Sequence, residues 1–134
     1  MRELPPLAAR HPGIAAIWIF GSAVRSELRF DSDVDIAVLF RPDATMRDTA
    51  LAELSARLEA FTSPYPVDAV DLGEQGVIFA HEVLCTGKLA YVADDDYRAR
   101  FESSTCVRAF DFRPTYELAL RGQREGLVRR LERQ

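Results

Sequence analysis

The sequence predicts an α/β (α+β) fold in which helices cover a mixed β-sheet. Three observations favour it: short apolar runs typical of strands fill the first 93 residues, helical periodicity dominates the rest, and the 134 residues are 48% hydrophobic and 28% charged. This length fits one domain. We therefore expect a single domain over residues 1–134, with the sheet and its helices in 1–93 and C-terminal helices in 94–134. The helices are expected on one side of the sheet.

Four apolar runs predict the strands. They cover residues 13–20, 33–40, 67–72 and 89–92, and most are rich in β-branched or aromatic side chains and bounded by Gly, Pro or Asp. In the second run, Val34, Ile36 and Val38 alternate with Asp33 and Asp35, as in a strand with one buried face.

Helical patterns lie between and after these runs. A helix of about two turns is expected from Ser22, and another from Thr45 as N-cap, with Leu51, Leu54, Leu58 and Phe61 on one face. A third helix is expected to end at Gly87. The C-terminal segment is expected to form two helices separated at Pro114.

Charge and hydropathy exclude several classes of protein. No apolar run reaches the roughly 20 residues of a membrane span, and the first residues lack the apolar stretch of a signal peptide, so a cytoplasmic protein without membrane contact is expected. The net charge of −4 argues against direct nucleic-acid binding as the main role. This charge is uneven, at +3 for residues 113–134 and −7 for residues 1–112. Cys85 and Cys106 are expected to be buried, reduced thiols.

The stretch FGSAVRSELRFDSDVDIAVLF, residues 20–40, places two carboxylates in an apolar run. In a strand, Asp33 and Asp35 would project from one face about 6–7 Å apart. Carboxylates this close repel each other unless a cation neutralises them, and Mg²⁺ commonly binds through one or two carboxylates together with substrate phosphates. The spacing therefore predicts a magnesium and nucleotide site. Alternatively, Asp33 caps a turn and Asp35 pairs with an arginine.

Gly21 and Ser22 lie where the first strand ends. Glycine lets the backbone approach a phosphate, and the serine N–H and hydroxyl can donate to phosphate oxygens. Arg25, one turn later, can reach the same phosphates or balance the carboxylates. A Gly-Ser pair is also common at structural strand-to-helix turns.

The sequence has a pattern of Gly-Ser, ten further residues and then Asp-x-Asp. This pattern resembles the signature of the DNA polymerase β-like nucleotidyltransferase superfamily, in particular its minimal nucleotidyltransferase (MNT) members. The segments VDAVDL, HEVLCTGKLAYVADDDYRARFE and FDFRP also resemble MntA-type antitoxins, which are encoded beside HEPN-domain toxins. The resemblance covers nearly the whole chain and implies a polymerase β-like nucleotidyltransferase fold.

The resemblance also implies roles for individual residues. It places Gly21 and Ser22 at the triphosphate and makes Asp33 and Asp35 the first two metal-binding carboxylates. The third is expected to be Asp68, with Asp71 as a rival of opposite strand parity.

One position departs from the pattern. Ser26 stands where the wider family usually has glycine after the arginine, which leaves the metal ligands untouched.

The implied activity is adenylyl transfer. The resemblance implies that ATP, with two Mg²⁺ ions held by Asp33, Asp35 and Asp68, donates AMP to a tyrosine hydroxyl of a cognate HEPN ribonuclease toxin and releases pyrophosphate. Asp68 is a candidate general base. Two alternatives stay open: nucleotidyl transfer to a small molecule or an RNA end, and an antitoxin that neutralises its toxin by binding alone.

Three weaker signals have simpler interpretations. HEVLC, residues 81–85, lacks the second histidine of a His-Glu-x-x-His zinc site. Asp94, Asp95 and Asp96 are typical of a helix N-terminus. The C-terminal arginines fit either a solvated helix face or contact with RNA or an acidic toxin surface.

Overall fold

Four strands and four α-helices make up the part of the chain that the structure describes. The structure is a computed structural model that describes residues 1–24 and 32–132, and beyond residue 112 the described side chains are those of Pro114, Leu118, Leu120, Arg121 and Gly122. In chain order the elements are α1 (Leu4–Ala8), β1 (Ile14–Phe20), β2 (Val34–Phe40), α2 (Arg47–Thr62), β3 (Val67–Asp71), α3 (Val77–Thr86), β4 (Lys88–Val92) and α4 (Asp95–Glu132).

The strands form one mixed sheet in the order β3-β2-β1-β4. β1 is antiparallel to both β2 and β4, whereas β2 and β3 are parallel and are connected through α2. All four strands lie where the apolar runs predict them, and the predicted mixed sheet is confirmed.

Helices cover both faces of this sheet, so the expectation of one covered face is wrong. Leu4 of α1 and Leu54 of α2 pack against Ile17 on one face. On the other face, Val83 of α3 and partly buried side chains of α4 pack against Trp18. The reason lies in β1, whose run IAAIWIF is apolar at consecutive positions and therefore needs a cover on each side.

The start of α2 differs from the prediction. Its N-cap is Met46, in the left-handed region at φ 55°, and not Thr45. No side chain caps this turn. Instead the Arg47 guanidinium donates to the carbonyl oxygens of Ala44 and Arg41, at 3.4 and 3.2 Å, and so joins the helix start to the preceding loop.

The C-terminal segment is one helix, so the predicted break at Pro114 is wrong. α4 continues through the proline, which removes one backbone donor but does not end the helix. Its start agrees with the prediction, because the Asp94 carboxylate accepts a hydrogen bond of 3.0 Å from the Tyr97 N–H.

Three smaller features complete the comparison with the sequence. The helix expected from Ser22 begins as a 3₁₀ turn, Gly21–Ala23, and the rest of that expectation lies outside the described residues. Both cysteines are free, as expected, but exposed, so the prediction of buried thiols is wrong. Among the described residues no helix is both long and apolar enough to cross a membrane.

Two positions on the apolar face of α2 should differ in their effect on stability. Leu54 is completely buried, whereas Phe61 is 59% exposed. We expect Leu54→Ala to lower the free energy of unfolding by about 2–5 kcal/mol, because it leaves a cavity. Phe61→Ala, the control, should change it by about 0.5 kcal/mol or less. Urea denaturation measures both, and equal effects would contradict the packing of α2.

Candidate active site

The chain makes a tight turn directly after β1. Gly21 adopts φ 74°, a conformation that favours glycine, and begins the 3₁₀ turn that contains Ser22. A Cβ atom on Gly21 would lie 2.5 Å from Oδ2 of Asp35. The absence of a side chain therefore lets the turn lie against the carboxylate of the neighbouring strand.

Backbone pairing places two of the predicted carboxylates side by side. Phe20 of β1 pairs with Asp35 of β2, and Asp35 pairs with Asp68 of β3. Neighbouring strands lie about 4.8 Å apart, and paired residues share a face of the sheet. Asp33 comes two residues before Asp35, just ahead of β2, and is exposed. The structure thus brings Asp35 and Asp68 together beside Gly21.

These carboxylates affect one another electrostatically. Burial, followed by the negative charges of Asp68 and Asp33, raises the pKa of the Asp35 carboxyl above its ordinary value of 3.8. All three predicted metal ligands therefore contribute to one negative site, and its charge opposes ionisation of the most buried member.

Asp71 lies on the opposite face of β3 from Asp68. It is buried, and its carboxylate accepts hydrogen bonds from the Gly73 N–H at 3.1 Å and from Arg47 Nη1 at 3.3 Å. This carboxylate already has a cationic partner and a backbone donor, and it joins β3 to the start of α2. The geometry therefore favours Asp68 over Asp71 as the companion of Asp35.

The remaining predicted residue, Arg25, lies outside the described residues, as does Ser26. Its role in phosphate binding stays a prediction. Ser22 is half-buried within the 3₁₀ turn, next to Gly21 in the chain.

A divalent cation suits the donor chemistry of this site. Carboxylate oxygens are the hard ligands that Mg²⁺ prefers, and the charges that raise the pKa of Asp35 are those a cation would neutralise. Among the residues that the structure describes, no three His, Cys, Asp or Glu side chains form a ready metal-binding group. Asp35 and Asp68 are thus neighbours, but these two carboxylates alone do not complete the coordination of a metal ion.

An aromatic pair beside the turn was not predicted from the sequence. The rings of Phe20 and Phe79 meet edge to face, with centroids 5.7 Å apart. They border a cavity of about 180 Å³ whose lining also includes Gly21 and Glu82. Phe79 is far from the Gly-Ser motif in the sequence, and only the packing of α3 on the sheet reveals this proximity.

A family model described as polymerase beta, nucleotidyltransferase, matches residues 2–96, which include the turn and every carboxylate discussed above. The chain belongs to this nucleotidyltransferase family. The family predicted from Gly-Ser and Asp-x-Asp is therefore confirmed. No curated protein matches the sequence.

Solved structures share the fold. A toxin–antitoxin structure with AMP-PNP aligns with a TM-score of 0.71 at 24% identity, covering 87% of this chain and 92% of that one. A complex of MNT antitoxin with tri-AMPylated HEPN toxin from Shewanella oneidensis aligns with a TM-score of 0.66 at 23% identity, covering 87% and 89%. A structure described as a minimal nucleotidyltransferase is 33% identical over 61% of this chain and 80% of its own, with a TM-score of 0.51. These similarities confirm the predicted polymerase β-like fold.

The charge on Asp35 should destabilise the protein at neutral pH when no cation is added. A carboxyl whose pKa is higher in the folded than in the unfolded state gains native stability as pH falls, because the folded state then binds more protons. We therefore expect Asp35→Asn to unfold at a higher temperature than the wild type at pH 7. This difference should shrink towards pH 4 as Asp35 is protonated in the wild type. Thermal unfolding in EDTA measures it, and a variant less stable at pH 7 would contradict the charge argument.

Gly21 should not tolerate a side chain. Gly21→Ala introduces a left-handed alanine, which costs about 1–2 kcal/mol, and a Cβ atom that displaces Asp35. We expect a marked loss of ATP affinity in isothermal titration. Gly76→Ala is the matched control, because a Cβ atom there meets nothing within 4 Å. Wild-type affinity in Gly21→Ala would show that the turn does not depend on this close approach.

Proposed function

We propose that this chain is an antitoxin that acts as a protein adenylyltransferase, transferring AMP from ATP to a tyrosine hydroxyl of a HEPN ribonuclease toxin. The observation that carries the proposal is the pairing of Asp35 with Asp68 beside the Gly21 turn in a chain of the nucleotidyltransferase family. A carboxylate pair that can hold a metal ion, next to a turn whose N–H groups can bind phosphate, suits nucleotidyl transfer.

The residues divide into two groups in this proposal. The N–H groups and hydroxyl of the Gly21–Ser22 turn, together with Arg25, bind the triphosphate. Asp33, Asp35 and Asp68 would hold two Mg²⁺ ions. When bound, Mg²⁺ neutralises charge on the triphosphate and favours ionisation of the acceptor hydroxyl.

The transfer itself is an in-line displacement at the α-phosphorus of ATP. The tyrosine oxygen forms a bond to this phosphorus, the bond to the bridging oxygen of the β-phosphate breaks, and pyrophosphate leaves. Asp68 accepts the hydroxyl proton, a role that its exposed position allows. Gly21 and Ser22 align the phosphates, so most of the rate gain comes from positioning and charge neutralisation.

Two structural neighbours support the choice of nucleotide and acceptor. One is a toxin–antitoxin with AMP-PNP, and the other is a complex that contains a tri-AMPylated HEPN toxin. Their likeness to this chain supports ATP as the donor and a protein as the acceptor.

Mass spectrometry tests the proposal directly. The proposal predicts that a HEPN-domain protein is encoded beside this chain. That protein is incubated with the chain, ATP and Mg²⁺, and its intact mass and tryptic peptides are measured. We expect adenylyl groups on tyrosine. An unmodified toxin that is still inhibited by the Asp33→Asn, Asp35→Asn double variant would favour an antitoxin acting by binding alone. Transfer to RNA ends or small molecules, without transfer to the toxin, would favour the other alternative.

The two aspartates of β3 supply a matched pair of variants. Asp68→Asn should lower the rate of AMP transfer by about 10²-fold or more, because it removes the proton acceptor and a metal ligand, without lowering stability. Asp71→Asn should keep its transfer rate per folded molecule, but lower the free energy of unfolding by about 1–3 kcal/mol, because it weakens the contact with Arg47. Single-turnover kinetics and urea denaturation separate the effects, and the reverse result would assign the third carboxylate to Asp71.

A further inference from the structure

The far side of α4 carries a row of exposed apolar side chains, which we call the outer stripe: Val107, Phe110, Pro114 and Leu118. Their spacings of three, four and four residues place them along one face of the helix. Val107 is 62%, Phe110 82% and Leu118 66% exposed. Large apolar side chains aligned and exposed in this way are typical of a surface that binds a partner.

The outer stripe points away from the rest of the protein. The side of α4 that packs on the sheet is marked by Thr105 and Ala109, which are both buried. At 100° per residue, Val107 lies about 200° around the helix from each of them. Packing within the described part of the chain therefore does not account for the stripe.

The helix also continues beyond its contacts with the sheet. α4 has 38 residues, which corresponds to a length of about 57 Å. None of the described side chains after Ala109 is buried. A helix of this length with a free apolar face is expected to gain its stability from packing against another protein.

The charge distribution along the chain indicates what kind of protein could bind the outer stripe. Residues 113–134 carry a net charge of +3, whereas residues 1–112 carry −7. A stripe-to-stripe dimer with parallel helices would bring two +3 segments together, which disfavours that arrangement of two copies. The segment that spans the stripe, residues 107–118, is net neutral, and residues 119–134 beyond it carry +3. An apolar helix with acidic side chains at its border would complement both the stripe and this basic segment.

We propose that the outer stripe is the docking surface for the acceptor protein, which contributes an apolar helix with acidic borders. The inference rests on the proposed function in identifying the partner as the acceptor. α4 packs on the same face of the sheet as Phe20, whose register partner is Asp35. A protein bound along α4 is therefore held on the side of the sheet that carries the carboxylates.

Leu118 and Leu120 supply a matched pair of variants on opposite sides of α4. Leu118 belongs to the outer stripe, whereas Leu120 is 39% exposed and lies about 200° away around the helix. Leu118→Glu and Leu120→Glu make the same change in charge and hydropathy, and glutamate keeps a high helix propensity. Phe110→Glu tests the stripe at a second position.

Binding of the proposed HEPN-domain acceptor is measured by isothermal titration without ATP. We expect Leu118→Glu and Phe110→Glu to weaken binding about tenfold or more, and Leu120→Glu to bind within about threefold of the wild type. ATP affinity and helical content by circular dichroism should be unchanged in all three variants. The KM for the acceptor in AMP transfer should rise with the loss of binding.

Several outcomes would overturn the docking surface. The proposal is wrong if Leu118→Glu and Phe110→Glu bind the acceptor as tightly as the wild type does. It is also wrong if Leu120→Glu weakens binding as much as Leu118→Glu does. A wild-type dimer in light scattering that Leu118→Glu dissociates would assign the stripe to a second copy. The two proposals fail separately. If the stripe variants lose binding but the wild type transfers no AMP, the transfer alone is refuted. If the stripe variants keep the wild-type KM for the acceptor, the docking alone is refuted.

Discussion

The parallel pairing of β2 with β3 is the constraint on which the candidate site depends. Its register sets Asp35 directly beside Asp68, and two carboxylates at that separation repel each other. The same strands bury Val34, Ile36 and Val67 on the opposite face. A slip of one residue would bury the carboxylates and expose these side chains, so the hydrophobic core holds the register against the repulsion.

The two faces of β3 give its two aspartates different roles. Asp68 and Asp71 are three residues apart in β3 and therefore lie on opposite faces. Asp71 is buried, and its charge is matched by Arg47, so it contributes to the attachment of α2. Asp68 is exposed, next to a second carboxylate, where its charge favours a cation over a structural contact. Strand parity, and not residue type, separates the two.

Much of the fold and site could be predicted because strand signals are local. The alternation around Asp35 and the glycine after β1 each depend on a few consecutive residues, and both agree with the structure. The errors concern features that the local sequence pattern does not decide. Arg47 ties the start of α2 to the preceding loop, so Thr45 is not needed as a cap. Pro114 remains within α4 because a helix can bend around one missing donor.

The residues between the carboxylates and α4 form a continuous packed path. Phe20 lies in register with Asp35 and meets Phe79 of α3 edge to face, and α3 packs in turn against α4. Each of these contacts joins elements that are packed in the folded protein. The position of α4 relative to the carboxylates is therefore set without a conformational change. A helix that carries an exposed apolar stripe and is held in this way can present a bound protein in a defined orientation, which the proposed transfer to a hydroxyl of that protein requires.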